Sequence, residues 1–138
     1  MDWSGGSKNL EYPTACANTQ VAGRSIAYLF NQLKKAGFRN SDFNCAGHSL
    51  GSHVCSYAAK VRFDFDFDFD LNFMICWKLG IQYAKSEFGI TLARVTGLDA
   101  AGPLFEKTTK EVRIDKSDAT YVDLIHTNGG NEDQGFLG

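Results

Sequence analysis

Gly47-His48-Ser49-Leu50-Gly51 is the segment whose residue types and spacing best suit covalent chemistry. A serine hydroxyl is a weak nucleophile until a turn exposes it and a neighbouring base takes its proton. Glycines two residues either side let a strand and a helix close tightly on such a turn. The flanks agree with this. Phe43 to Ala46 is a short run of strand type, and Ser52 to Lys60 carries a helical pattern. On this reading Ser49 is the nucleophile, held at a helix N-terminus. The amide of Leu50 then points where an oxyanion would form. The plainer alternative is a glycine-rich turn in which Ser49 only caps the helix.

A serine nucleophile needs a base, and the base needs an acid to orient it. Asp99 closes the β-rich run Ile90 to Leu98, in the context Leu98-Asp99-Ala100-Ala101-Gly102-Pro103. Reactive groups of parallel sheets gather at the C-terminal ends of strands, which makes Asp99 the candidate acid. A turn aspartate ahead of Gly-Pro is the alternative. The histidines are His48, His53 and His126. His48 is the variable residue of the turn and faces away from the reactive side of the serine. His53 follows Ser49 on the helix and is packed or exposed on its flank. His126 has the right chain order of serine, acid, histidine. It lies in a strand run, however, where a structural role is the better reading.

The elements that must position these groups read as helix alternating with strand. Residues 14–36 form an amphipathic helix with apolar residues at Val21, Ala22, Ile26, Leu29, Phe30 and Leu33. Lys34 and Lys35 suit its C-terminal end, and Gly37 its stop. Tyr121 to Thr127 is too uniformly apolar for a solvated face and is expected in the centre of a sheet. Residues 111–118 are charged and loop-like. The order predicts an α/β sheet.

At 138 residues the chain has room for one domain at most. Its 14 basic and 16 acidic side chains give a net charge of −2. That balance argues against nucleic acid or an anionic membrane as the main partner. Hydrophobic residues at 43% and charged residues at 22% are a globular composition. No apolar run reaches the roughly 18 residues of a membrane span. Met1-Asp2-Trp3-Ser4-Gly5-Gly6 lacks the charged and apolar regions of a signal peptide. Cys16, Cys45, Cys55 and Cys76 form no C-x-x-C pair, which weakens zinc and thioredoxin readings. They are compatible with two disulfides or with buried thiols. The thiol reading is slightly favoured for Cys45 and Cys55, which sit in stretches of buried type.

One segment breaks the pattern. Phe63 to Asp70 repeats Phe-Asp with an apolar period of 2, directly after a helix and with no turn residue between. It reads as an amphipathic edge strand or as low-complexity sequence. A third reading fits better. Deleting residues 61–82 joins Lys60 to Tyr83 and makes one helical stretch that stops at Gly89. The segment opens on a valine, whose codons begin GT, and closes on a glutamine, which CAG encodes. Those are intron ends, and the expectation is a retained in-frame intron. A main transcript that contains codons 61–82 would defeat it.

With these residues in view, the chain resembles the animal pancreatic lipase family, α/β-hydrolases that include arthropod members. The blocks that carry the resemblance run in order along the chain outside residues 61–82. They begin with Asp2-Trp3-Ser4-Gly5-Gly6-Ser7, then Asn18-Thr19 and Val21-Ala22-Gly23, then Gly47 to His53. Val95 to Phe105, Val112 to Ala119 and Val122 to Gly129 complete them. The resemblance implies an incomplete α/β-hydrolase fold, the central part of a lipase catalytic domain. It makes Ser49 the nucleophile, Asp99 the triad acid and Leu50 one oxyanion-hole donor. Ala100 stands where the family commonly has proline.

His126 matches a family histidine that is not the base. The family's base comes from an Asp-His motif expected beyond Gly138, and its second oxyanion donor from a loop expected before Met1. The isolated chain is accordingly expected to be inactive. No cofactor is required, but the family carries a structural calcium. Its ligands would match Arg113 through the carbonyl, Asp115 and Asp118, with Lys110 where an acidic residue is usual. A solvated charged loop is the alternative there. The implied function is secreted hydrolysis of glycerolipid esters, triacylglycerol or phospholipid, at a lipid–water interface. The rival is a non-catalytic lipid-binding or yolk-type relative.

Overall fold

The computed structural model describes residues 2–7, 11–62, 82–83 and 89–127. Helix α1 spans Ser4–Ser7 and α2 spans Tyr12–Lys35. Pro13 lies in the first turn of α2, where amides have no intrahelical acceptor to lose. A 3₁₀ turn at Asn40–Asp42 leads into strand β1, Asn44–His48, and then helix α3, Leu50–Ala59. Strands β2, Val61–Arg62, and β3, Gln82–Tyr83, pair with each other. Strands β4, Leu92–Leu98, and β5, Ala119–Ile125, complete the described elements.

The main sheet has the order β1-β4-β5 and is parallel throughout. The register sets His48 beside Leu98 and Leu98 beside Ile125. The three strands therefore end level with one another. Ser49, Asp99 and His126 follow at the same edge, where parallel α/β sheets place reactive groups.

Helices α2 and α3 pack together, and α3 lies against the sheet. The helices come into tight contact at Gly23. A Cβ there would stand 2.5 Å from the Tyr57 Cβ and 2.9 Å from the Val54 carbonyl oxygen. The core gathers Ala27 and Phe30 of α2, Cys55, Ala58 and Ala59 of α3, and Leu92 and Val95 of β4. Phe43, Ile90 and Ile114 close it from the connecting segments. No described helix is long and apolar enough to cross a membrane.

Two expectations change. Cys45 and Cys55 form a disulfide and are not free thiols. Packing of β1 against α3 brings their Cα atoms to 5.6 Å, an ordinary disulfide separation. The bond closes a short loop with Ser49 near its middle. Chain-entropy arguments assign such a loop about 2.5 kcal/mol. Cys16 is the buried free thiol among the described residues.

Strand β5 is the outer strand of the described sheet, not a central one. One face carries Asp123, paired with Arg94, beside Tyr121 and Ile125, both of which stay more than half exposed. Among the described residues nothing covers the face opposite α3. A sequence run records that a strand is suited to burial, not what buries it.

Helix α3 ends at Ala59, within one residue of the expected Lys60, which is extended at ψ 154°. Val61 then pairs with Tyr83 and Arg62 with Gln82. The two ends of the 61–82 segment lie side by side. The Phe-Asp repeat and its edge-strand reading lie outside the described residues, as does Cys76.

Candidate active site

Ser49 sits between the last residue of β1 and the first of α3, at φ 54° and ψ −122°. A non-glycine residue rarely takes that conformation, which costs on the order of 1–3 kcal/mol and persists only where its surroundings enforce it. Backbone hydrogen bonds do so, among them one from the Ser52 amide to the Ser49 carbonyl at 3.1 Å. The Ser49 amide donates to the Leu98 carbonyl at 2.9 Å, and the Ala101 amide donates to the Ser49 carbonyl at 3.3 Å. The Ser52 hydroxyl braces the turn from inside by donating to the Gly47 carbonyl at 2.8 Å.

Gly47 allows this turn to close. A Cβ on it would lie 2.0 Å from the Gly51 carbonyl oxygen and 2.2 Å from its carbonyl carbon. The strand backbone thus rests directly on the first turn of the helix. Leu50 begins α3, so its amide is among the four with no acceptor inside the helix. The positive end of the helix dipole faces the same point.

Asp99 follows β4 at φ 44°, a left-handed conformation that aspartate tolerates better than most residues. Its amide donates to the Ile125 carbonyl at 2.7 Å. The Thr127 amide donates to Asp99 Oδ1, and the Thr127 hydroxyl donates to Asp99 Oδ2 at 2.8 Å. Both carboxylate oxygens are therefore oriented by one residue of the neighbouring chain segment. Sequence reasoning missed Thr127. It carries no motif of its own, and only the register of β4 against β5 reveals its reach.

The histidines separate clearly. His48 ends β1 and is exposed, and His126 is exposed just past β5. His53 is buried and tied at both ring nitrogens. Nε2 is 2.8 Å from the Ala101 carbonyl, and Nδ1 accepts the Ile114 amide at 3.4 Å. Those partners assign the proton to Nε2. The ring stacks on Phe105 with centroids 3.6 Å apart and planes at 5°. His53 therefore locks α3 to the 101–114 segment and has no nitrogen left to serve Ser49.

Burial pushes the His53 pKa down from 6.5 to about 4. The unfolded chain then takes up this proton as pH falls through 6.5, while the folded chain resists until about 4. Stability is thus expected to fall across that window, by about 3 kcal/mol in full. Urea unfolding near neutral pH and near pH 4.5, compared with His53→Gln, checks it. The variant should lack this component, and parallel losses in both proteins would show that His53 is not the titrating group.

The loop at 113–118 brings Arg113, Asp115 and Asp118 near one another, but not around an open cradle. The Arg113 carbonyl and Asp118 Oδ2 both accept from Lys60 Nζ. Asp115 Oδ1 instead accepts the Ser117 amide at 3.0 Å and the Ser117 hydroxyl at 2.7 Å. These bonds hold the Asp115 carboxyl below its ordinary pKa. Among the described residues no group of three or more His, Cys, Asp or Glu side chains is placed to hold a metal ion. Lys60 was the other residue that sequence reasoning passed over, because a lysine at a helix end reads as a solvated dipole partner.

A family model described as Lipase matches residues 1–64 and 79–137. The chain belongs to the lipase family. Its unmatched residues 65–78 fall within the 61–82 segment. The chain is 35% identical over 131 residues to pancreatic triacylglycerol lipase of Mus musculus, covering 94% of this chain and 22% of that protein. It is 38% identical over 129 residues to pancreatic lipase-related protein 3 of Homo sapiens, covering 93% of this chain and 21% of that protein. Pancreatic lipase-related protein 2 of Cavia porcellus is 36% identical over 129 residues, with 93% and 24% covered. The chain thus spans less than a quarter of the length of these lipases. The small parallel sheet and its helices are consistent with a partial α/β fold.

Proposed function

We propose that this chain is the nucleophile-bearing part of a secreted carboxylic-ester hydrolase of glycerolipids, built on an α/β-hydrolase fold. The observation that carries the reading is Ser49 at φ 54°, fixed between a parallel strand and a helix N-terminus. A capping serine would need no such strain, and the conformation raises its hydroxyl clear of the sheet.

In the proposed mechanism a histidine from outside the described residues takes the Ser49 proton. Asp99, aligned by Thr127, holds that histidine's tautomer and stabilises its charged form. Ser49 Oγ attacks the ester carbonyl, and the Leu50 amide supplies one of two donors to the oxyanion. Collapse expels the alcohol and leaves an acyl-enzyme, which water hydrolyses to a fatty acid. No dissociable cofactor takes part. The substrate class rests on the relatives, whose names include triacylglycerol lipase. A phospholipase A1 activity uses the same groups. The Cys45–Cys55 disulfide supports an oxidising, extracytoplasmic destination.

A non-catalytic lipid-binding relative is disfavoured, because both the strained Ser49 and the anchored Asp99 are retained. A serine-reactive phosphonate applied to the full-length protein separates the two readings. The expected result is stoichiometric labelling of Ser49 that disappears in Ser49→Ala. A folded full-length protein left unlabelled would sink the hydrolase reading.

A further inference from the structure

Lys60 is a lysine almost wholly withdrawn from water, 5% exposed, and each of its three ammonium protons has an acceptor. They go to the Ser56 hydroxyl, the Arg113 carbonyl and Asp118 Oδ2. Asp118 is buried as well, 3% exposed, and the ion pair measures 2.8 Å. Its Oδ2 also accepts the Ser56 hydroxyl at 2.8 Å and the Asp115 amide at 2.9 Å. The result is a hydrogen-bonded network with the ammonium at its centre.

We infer that Lys60 is the built-in cation of the 113–118 loop and that this loop takes no calcium. The donor set decides it. A calcium ion needs six to eight oxygens at about 2.3–2.6 Å. Two of the three donors expected for it, the Arg113 carbonyl and the Asp118 carboxylate, already enclose an ammonium. The third, Asp115, is tied to Ser117. A divalent ion would have to displace a buried positive charge from these same acceptors. Lys60 instead supplies a single charge from the end of α3 and needs no free ion. It cross-links that helix to the loop, whose Ile114 amide in turn holds His53.

The test is thermal unfolding and calcium titration of the full chain after treatment with a chelator. No saturable calcium binding is expected up to about 5 mM, beyond the weak end of protein calcium sites. The melting temperature should stay within about 1 °C between calcium and chelator. Saturable binding, or a calcium-dependent rise of roughly 5 °C or more, would overturn the inference. A second arm is Lys60→Met, which keeps the bulk and removes the charge. It leaves a buried carboxylate unpaired, so a loss of about 10 °C or failure to fold is expected. A Lys60→Met protein that melts within about 2 °C of the parent would equally overturn it.

Discussion

Asp99→Asn is expected to lower kcat of the proposed full-length hydrolase on a soluble short-chain ester by about 10⁴-fold while leaving the fold intact. The retention of structure follows from the site. Thr127 presents two donors to Asp99, its amide and its hydroxyl. An asparagine can turn its carbonyl oxygen to the amide. Its NH₂ group then donates to the hydroxyl oxygen, because a hydroxyl accepts as readily as it donates. Asparagine also tolerates the left-handed backbone at φ 44°. The change therefore removes charge and acceptor character but not shape. The base loses the carboxylate that fixes its tautomer and offsets its charge in the transition state. A variant that melts with the parent and keeps more than about a tenth of its activity would show that Asp99 is not the triad acid.

The placement of the candidate groups was legible in the sequence where it follows from local chain order. Gly47-His48-Ser49-Leu50-Gly51 announces a strand-to-helix turn, and the structure holds Ser49 in the strained conformation such a turn requires. Asp99 could be read from its place after a β-rich run, because a parallel register carries every strand end to one edge. Long-range partnerships were not legible. Nothing near Thr127 in sequence points to Asp99, and the two meet only because β5 lies beside β4. Lys60 and Asp118 are 58 residues apart, and neither residue type is usually buried. Cys45 and Cys55 straddle the turn, so their pairing depended on how closely α3 folds back on β1. The position of β5 was misread for the same reason. Apolar content states a demand for burial without naming what meets it.

Gly47→Ala is expected to destabilise the fold by at least about 3 kcal/mol, at the upper end for overpacking. For a chain of this size that is a drop on the order of 10 °C in melting temperature. The added methyl would meet the Gly51 carbonyl oxygen at 2.0 Å and the Ser52 amide nitrogen at 2.7 Å. Both are backbone atoms of the first turn of α3, so no side chain can rotate away. Relief requires the helix to move off the strand. That movement is opposed by the Ser52 hydroxyl bond to Gly47 and by the Cys45–Cys55 bond. It would also pull Ser49 out of its strained conformation, so activity should fall further than stability alone explains. Gly51→Ala makes the opposite case within the same motif. A Cβ at Gly51 has nothing within 4 Å, and the residue is helical. Alanine there should be neutral or stabilising by up to about 1 kcal/mol. Thermal melts of the two variants side by side test whether backbone contact, and not glycine flexibility, sets the turn. Equal losses at both positions would refute the contact account.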